Sequence, residues 1–377
     1  MRFTVLLVLL WALSAIDLHA ATLTVDCDRG ETIARALARI SLLDGWQANT
    51  VNVRGTCVES VEIRNFERLT LAGIGPAAIR GTSDASPELS IANSQDVIVR
   101  DLTIGSSAGT SLQISNCQDC EVRGSMIEGL TLLYGSGTTL FFDDVLHANG
   151  SFAALGSYDH IRVIMVDCTV EPGSGWIWAG VNSESILHMS GSTVRGFGVG
   201  IAVNNGAKLT LSDRQSLVPG SGPDATVVVE NNAWAGIEVS GASTASIPAA
   251  RIRNNAVGVV ASGNSRLLTG SEEGFGPGAE ISDNMNVGVM VRDGAHADIG
   301  TGTRIIRTAG NGLVVVNNST AAGPPSAAAP ATRIDGSTAQ DVFCDATSIV
   351  SNAARIAAPK MTCPNLNTGP HVPLPTQ

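Results

Sequence analysis

The chain has 377 residues, of which 15% are charged and 4% aromatic, and its net charge is -11 with an isoelectric point near 5.0. Lys208 and Lys360 are its two lysines, so there is no basic stripe. This charge argues against nucleic acid as a partner and against strong electrostatic capture of an anionic polymer. A neutral, cationic or metal-bridged partner fits better.

Residues 1–20 have the pattern of a secretory signal peptide. Arg2 precedes an apolar run from Val5 to Ile16, and the segment ends in the small residue Ala20. The run is too short for a comfortable membrane span, and no later segment reaches the roughly 18 apolar residues that a span needs. We therefore expect a secreted or periplasmic protein with no membrane span.

The next segment, residues 21–50, is predicted to be an N-terminal cap. A short strand (ATLTVDC) precedes GETIARALARI, in which Ile33, Leu37 and Ile40 share one helical stripe. A helix here would cover the open end of the array that follows, where unpaired backbone groups would otherwise invite edge-to-edge association.

A repeated pattern, a glycine followed by a short strand, runs from Thr193 to Asn317. The glycines recur at intervals of 22 to 36 residues and are Gly200, Gly236, Gly258, Gly288 and Gly312. A repeat of this length without a helical period is typical of one coil of a β-solenoid. Similar segments upstream predict three faces per coil and one β-helix over residues 51–340, followed by a last coil and cap (341–366) and a disordered tail (367–377).

The first coils, VNVRGTCVESVEIRNFERLTLAG (51–73), resemble those of secreted bacterial right-handed parallel β-helix proteins of the pectin-lyase-like fold. The resemblance covers roughly residues 22–362. It implies an all-β fold, a right-handed parallel β-helix with a short N-terminal capping helix, which we expect to be a monomer. Function in such scaffolds resides in individual sites, so the resemblance predicts the fold and no activity.

An asparagine stands four residues before several of the repeat glycines, at Asn232, Asn254 and Asn284. Stacked coils place equivalent positions about 4.8 Å apart, so these side chains are predicted to form an amide ladder inside a turn. A structural role is favoured over a binding role, because turns need polar groups that satisfy the backbone.

The seven cysteines fit an exported protein. Cys27 with Cys57 and Cys344 with Cys363 are predicted to form disulfides that tie the two caps to the array. Cys117 and Cys120 have a CxxC spacing within a turn, for which a local disulfide or two packed thiols is preferred over redox chemistry. Cys168 is expected to be a small buried hydrophobic residue. No Cys and His set has zinc-site spacing, so no metal site is predicted, although calcium bound by carboxylates stays possible.

Candidate catalytic residues concentrate between Asp143 and Trp178. Asp143 and Asp167 take the same place in neighbouring coils, with Asp144, His147 and Glu171 close in sequence. Two carboxylates could perform acid and base steps in glycoside cleavage or coordinate calcium. An ordinary turn role is favoured, because aspartate is a common turn residue.

A second candidate set contains Tyr158, His160 and Arg162. Such groups could remove and return a proton next to a uronate. Alignment of Asp159 with the turn residues Asp96 and Asp119 again favours a structural role.

Aromatic residues in the same region, Tyr134, Phe152, Trp176 and Trp178, could stack on sugar rings, and the sequence supports inward packing of both tryptophans at least equally well. The residue two places after each repeat glycine is predicted to point outward and to form an almost entirely apolar column. The members of this column are Thr131, Phe152, Ile177, Ala202, Glu238, Val260, Met290 and Val314.

The motifs that polygalacturonases, pectate lyases and alginate epimerases carry are absent; only Asp143-Asp144 matches a fragment of one. The sequence therefore favours an exported β-helix that binds a surface polysaccharide or a cell-surface partner. The alternative is a polysaccharide lyase, glycoside hydrolase or uronan epimerase with its site near residues 143–178.

Overall fold

The computed structural model of the protein describes residues 20–44, 47–81, 87–149, 152–212, 226–270, 278–324 and 332–367. The predicted signal peptide and C-terminal tail lie outside these ranges, apart from Ala20 and Asn367.

The described chain contains one α-helix, α1 (Ile33–Asp44), two 3-10 turns (Cys27–Arg29 and Ala353–Arg355) and many short strands. The strands of the first half are β1 (Thr22–Asp26), β2 (Asn49–Val58), β3 (Val61–Arg64), β4 (Leu69–Arg80), β5 (Leu89–Ala92), β6 (Ile98–Arg100), β7 (Thr103–Arg123), β8 (Met126–Phe142), β9 (Val145–Asn149), β10 (Ala153–Ser157), β11 (His160–Val166), β12 (Thr169–Ser174), β13 (Ala179–Ser183), β14 (Ile186–Ser190), β15 (Thr193–Arg195), β16 (Val199–Val203) and β17 (Lys208–Ser212). Those of the second half are β18 (Val227–Glu230), β19 (Ala235–Val239), β20 (Thr244–Ile247), β21 (Ala250–Arg253), β22 (Val257–Ala261), β23 (Arg266–Thr269), β24 (Glu280–Ser282), β25 (Val287–Val291), β26 (His296–Ile299), β27 (Arg304–Ile306), β28 (Asn311–Val315), β29 (Thr320–Ala322), β30 (Thr332–Asp335), β31 (Val342–Cys344), β32 (Ile349–Ser351), β33 (Ile356–Ala357), β34 (Met361–Thr362) and β35 (Leu366–Asn367).

These strands form three parallel sheets, because each coil contributes one strand to each face and pairs with the coil before and after it. Sheet A contains β3, β5, β10, β13, β16, β19, β22, β25, β28, β31 and β34. Sheet B contains β1, β6, β11, β14, β17, β20, β23, β26, β29, β32 and β35, and sheet C contains β9, β12, β15, β18, β21, β24, β27, β30 and β33. The long strands β2, β4, β7 and β8 bend through corners and contribute to more than one sheet.

The core is a stack of aliphatic side chains inside this tube. In sheet A, for example, Ile201, Ile237, Val259, Val289 and Leu313 occupy one column in register, and each is fully buried. Burial of such columns removes apolar surface from water that no single coil could cover alone.

The repeat glycines are required by close backbone contact between coils. A Cβ at Gly258 would lie 2.5 Å from the carbonyl oxygen of Gly288, and one at Gly236 would lie 2.7 Å from that of Gly258. Both distances are shorter than a carbon and an oxygen can approach, so any side chain here would push the coils apart.

The predicted capping helix is present. Ile33, Leu37 and Ile40 are buried, and the Glu59 carboxylate accepts hydrogen bonds from the backbone N–H groups of Ile33 and Ala34 at 2.6 and 3.1 Å. This carboxylate satisfies donors that the first helical turn leaves free and complements the positive end of the helix dipole.

Both predicted cap disulfides are present, as Cys27–Cys57 and Cys344–Cys363, and Cys117 is joined to Cys120. Cys168 is free and buried, as expected. Peptide mapping without reduction should recover these three linked pairs and one alkylatable thiol after denaturation. Recovery of Cys27 or Cys344 as a free thiol would contradict the arrangement.

The predicted asparagine ladder exists, but one of its members was wrong. Asn232, Asn255 and Asn284 are buried: Asn255 Oδ1 accepts a hydrogen bond from Asn232 Nδ2 at 3.0 Å, and Asn284 Oδ1 accepts one from Asn255 Nδ2 at 3.2 Å. Asn254 instead is exposed at the preceding position of the same corner, with φ of 56°. The turn before Gly258 is one residue shorter than those before Gly236 and Gly288, so counting back four residues selected the wrong asparagine.

Candidate functional site

The outer face of sheet A differs from the sequence-based prediction in its upstream half. The residues in register with Ala202 and Glu238 are Asn182, Gly156 and Leu132, and the predicted column members Thr131 and Ile177 are buried. Phe152 precedes β10 and lies at the corner between sheets C and A. The predicted apolar column is correct only from Ala202 onward, because the upstream coils have different turn lengths.

Polar side chains from Tyr158 to Ser240 form a hydrogen-bonded stripe along the part of this face that borders sheet B. Asn204 Nδ2 donates to Asn182 Oδ1 at 3.0 Å, and Ser240 Oγ donates to Asn204 Oδ1 at 2.6 Å. Asn182 Nδ2 lies 3.5 Å from the Tyr158 hydroxyl oxygen. These side chains connect successive coils, so the stripe runs along the helix axis.

Two tyrosines line the edge of sheet A that faces sheet B. Tyr134 accepts a hydrogen bond from Gln113 Nε2 at its hydroxyl oxygen, at 2.7 Å. The ring of Tyr158 lies over Gly156, since a Cβ at that glycine would be 3.0 Å from Tyr158 Cε2 and Oη. Gly156 thus lets the tyrosine ring lie flat on the sheet.

Aromatic side chains also line the opposite edge, where sheet C meets sheet A. The rings of Phe152 and Trp178 stack with their centroids 4.7 Å apart and an angle of 16° between their planes. Trp176 is 74% exposed, and its Cζ2 atom lies 3.1 Å from the place of a Cβ at Gly198. The face between the two edges is about 13 Å wide, the length of four strand residues.

The downstream half of the face is apolar. Ala202, Val260 and Val314 are buried in a hydrophobic cluster that also contains Val257 and Val287, with Met290 and Phe343 packed against it. The polar stripe therefore ends near Ser240, and the face changes from amide and hydroxyl groups to aliphatic ones.

Glu184 and Glu238 are acidic residues of this face, and both are partly exposed. Glu238 is in register with Ala202 and Val260. Burial among these residues raises the pKa of the Glu238 carboxyl, an effect that the positive charge of Arg292 opposes. Desolvation disfavours the charged form, which is the physical cause of the shift.

A polar cavity of about 560 Å³ lies at the corner between sheets A and B, close to the N-terminal end of the stripe. Its lining includes Asn93, Gln95, Asn116 and Gln118. Asn116 Nδ2 donates to Asn93 Oδ1 at 3.3 Å, so amide groups link the coils here as well.

Asp143 and Asp167 lie at the corner between sheets B and C and have φ of 56°. Asp101 and Gly124 occupy the same corner position with φ of 57°. Aspartate, asparagine and glycine tolerate this left-handed conformation, so the column is a set of turn residues, as the sequence favoured.

Asp144 is 1% exposed and points into the interior at this corner. Its Oδ1 atom accepts a hydrogen bond from the Ser125 N–H at 2.7 Å, and its Oδ2 atom accepts one from the Phe142 N–H at 3.0 Å. Burial raises the pKa of this carboxyl to about 7 despite these two donors, with a further contribution from Asp143 and Glu121. The residue is enclosed by protein and does not face a surface where a polysaccharide could reach it.

His147 lies on the outer face of sheet C. Its Nε2 atom is 3.0 Å from Glu171 Oε1, and Arg195 donates to Glu171 Oε2 from Nε and Nη2 at 3.0 and 2.7 Å. These bonds from Arg195 and His147 lower the pKa of the Glu171 carboxyl. The three side chains follow one another across successive coils, so they form an inter-coil charge ladder.

His160 begins β11 at the corner between sheets A and B and is exposed. The predicted catalytic residues therefore lie in three separate places. Asp143, Asp144 and Asp167 are at the corner between sheets B and C, His147 is on the outer face of sheet C, and His160 is at the corner between sheets A and B. The polar residues that do converge on sheet A, Gln113, Asn182, Asn204 and Ser240, were missed by the sequence analysis. Asn204 and Ser240 directly follow strands β16 and β19, a position that could have indicated them.

One group of potential metal ligands is found in the described part of the chain: Cys27, Cys57 and Glu59. The two sulfur atoms are joined in a disulfide, so this group offers a single carboxylate. Calcium binding stays a prediction.

Solved structures with the same architecture were found by comparison of coordinates. The A-module of the mannuronan C-5 epimerase AlgE4 from Azotobacter vinelandii superposes with a TM-score of 0.50 at 14% identity, over 89% of this chain and 94% of that one. The catalytic domain of a GH87 α-1,3-glucanase superposes with a TM-score of 0.51 at 11% identity, over 89% of this chain and 66% of that one. The protein is a right-handed parallel β-helix. At these identities the likeness concerns the fold alone.

A scan of the sequence against protein-family models finds no match, and neither does a search of curated proteins. Within the described ranges, no helix is both long and apolar enough to cross a membrane.

Proposed function

We propose that this β-helix is an exported protein that binds a polysaccharide along the outer face of sheet A. The observation that carries the proposal is the convergence, on one face, of an inter-coil stripe of amide and hydroxyl groups with aromatic rings at both edges. A monomer would suffice, since all these groups come from one chain.

Each part of the face has a matching part in a sugar chain. Amide and hydroxyl groups can donate to and accept from sugar hydroxyls, and aromatic rings can pack against the apolar C–H face of a pyranose. Because the stripe runs along the helix axis, successive sugars can lie over successive coils. A face with few polar groups that fix orientation among apolar and aromatic ones is the usual composition of a ligand site.

The placement of the predicted catalytic residues supports binding over chemistry. Asp144 is enclosed, Asp143 and Asp167 are turn residues, and His147 and His160 lie on other surfaces. General acid and base groups must reach the same substrate bond, whereas these five residues lie in three different parts of the coil.

Loss of the exposed indole should weaken binding without affecting folding. We expect Trp176→Ala to raise the Kd for a bound polysaccharide about threefold to tenfold, because an aromatic contact contributes about 0.5–1.5 kcal/mol. Isothermal titration calorimetry against a panel of soluble polysaccharides would measure this. Phe142→Ala is the matched control, since this ring lies on sheet B beneath Arg123, and its Kd should be unchanged. Equal weakening by both variants would place binding elsewhere.

The alternative function, cleavage or epimerisation of a polysaccharide near residues 143–178, rests on the contact between His147 and Glu171. A carboxylate that orients an imidazole is a common arrangement for a general base. If the protein is an enzyme of this kind, new reducing ends or an unsaturated product should accumulate with wild type and disappear with His147→Gln. We expect no turnover with either protein.

A further inference from the structure

We infer that the polysaccharide bound on sheet A carries free amino groups, and that Glu184 and Glu238 are the residues that select it. This inference rests on the proposed function and names the ligand class of the same face.

The first observation is that these two carboxylates lack protein partners. Among the described residues, neither Glu184 nor Glu238 forms a side-chain hydrogen bond or an ion pair. Five carboxylates on the other two sheets and their corners, by contrast, are paired with arginine: Glu171 with Arg195, Glu230 with Arg253, Glu280 with Arg304, Asp283 with Arg307 and Asp298 with Arg266. Glu184 and Glu238 differ from these five because no described residue neutralises their charge by direct contact.

The second observation is their position within the polar stripe. Glu184 directly follows β13, and Glu238 lies in β19, two coils further along. Two coil steps correspond to about 10 Å along the axis. Asn182, Asn204 and Ser240, the hydrogen-bonded members of the stripe, lie on these two coils and on the coil between them. A sugar chain that follows the stripe would therefore pass both carboxylates.

The third observation is the environment of Glu238. Its neighbours in register, Ala202 and Val260, are fully buried, and burial raises the pKa of its carboxyl. Arg292 acts on it through space without an ion-pair contact and lies 3.6 Å from Asp293. A half-buried carboxylate without a partner is costly, and an ammonium group would remove that cost.

An amino sugar fits better than a metal ion. Calcium takes about six to eight oxygen ligands, whereas Glu184 and Glu238 lie two coils apart and no third carboxylate in the described chain converges with them. The aromatic edges also favour a cation, because ring faces attract positive charge. The net charge of -11 would attract a cationic polymer over a longer distance.

The test compares two probes with the same sugar backbone: a soluble β-1,4-linked glucosamine oligomer, whose amino groups are charged, and the same oligomer fully N-acetylated, whose amides are neutral. Titration calorimetry at pH 6 and low salt should give a Kd at least about tenfold lower for the free amine. The double substitution Glu184→Gln and Glu238→Gln should abolish this difference, because glutamine keeps the shape and removes the charge. Glu280→Gln on sheet C is the matched control and should leave the tenfold ratio unchanged.

Two outcomes would overturn the inference, and they can be told apart. If both oligomers bind equally well and Trp176→Ala weakens both, the ligand is neutral: the inference fails and the proposed function survives. If neither oligomer nor any member of the polysaccharide panel binds, the proposed function fails together with the inference.

Discussion

Replacement of Asp144 by serine should remove a large pH dependence from the stability of this protein. Between pH 4 and 8, the free energy of unfolding of the wild type should fall by about 4 kcal/mol relative to that of Asp144→Ser. The cause is the pKa of the Asp144 carboxyl, which burial raises from 3.8 to about 7.

The sign follows from proton binding in the two states. Between pH 4 and 7 the folded protein keeps a proton on Asp144 that the unfolded chain has already released. The folded state binds more protons, so stability decreases as pH rises through this window and levels off above pH 7, where the carboxylate is charged in both states. At pH 8 the native protein therefore holds a buried charge that only two N–H groups stabilise.

Serine is the appropriate substitute because neighbouring coils use it at the same place. Ser125 Oγ accepts a hydrogen bond from the Leu102 N–H at 3.3 Å, and Ser192 Oγ accepts one from the Cys168 N–H at 3.1 Å. Asp144→Ser should keep an acceptor for the Ser125 N–H while it removes the charge. At pH 8 the variant should be more stable than the wild type.

Urea unfolding at a series of pH values measures the effect, and Asp143→Asn provides the control. Asp143 is exposed at the adjacent corner position, where asparagine also tolerates the backbone conformation. This control removes one carboxyl group without touching the interior, so its pH profile should keep most of the wild-type fall; a small reduction is expected because the Asp143 charge contributes less than burial to the raised pKa of Asp144. Parallel profiles for wild type and Asp144→Ser would show that the buried carboxyl titrates near its ordinary pKa.

Features that every coil must repeat could be predicted from the sequence. The glycines of the repeat mark positions where a Cβ would strike the next coil, so their recurrence directly reports the stacking. The capping helix was predictable because Ile33, Leu37 and Ile40 form a helical stripe in a chain that otherwise has none. The cysteines of both caps stand at the ends of the array, where a link to the cap is geometrically simple.

Features that depend on the length of a turn could not be predicted. One residue fewer before Gly258 was enough to exchange Asn254 and Asn255, and different corners upstream moved Phe152 from the face of sheet A to its edge. Counting a fixed number of residues from each repeat glycine identifies equivalent positions only if all turns have the same length. Turns lie on the surface, so their lengths vary freely. The polar stripe was missed for the same reason, since Asn182 and Asn204 become neighbours only in the true register.

The corrected ladder predicts that substitutions of the adjacent residues Asn254 and Asn255 have different effects on stability. Asn255→Ala should lower the free energy of unfolding by about 3 kcal/mol, because each buried group left without a partner costs about 1–3 kcal/mol. Asn255 Oδ1 accepts from the N–H and the Nδ2 atom of Asn232, each at 3.0 Å, and both donors would lose their acceptor. Its Nδ2 atom also donates to the carbonyl of Val229 at 3.3 Å.

The control is the neighbouring asparagine. Asn254 is exposed, so Asn254→Ala should cost only the strain of a left-handed alanine, about 1–2 kcal/mol, and Asn254→Gly should cost almost nothing because glycine adopts this conformation freely. No substitution of Asn255 by alanine or glycine can restore an amide, so both should be equally harmful at that position. Chemical denaturation of the four variants decides the register: if glycine rescues position 255 and not position 254, Asn254 is the buried member and the shorter turn before Gly258 is wrong.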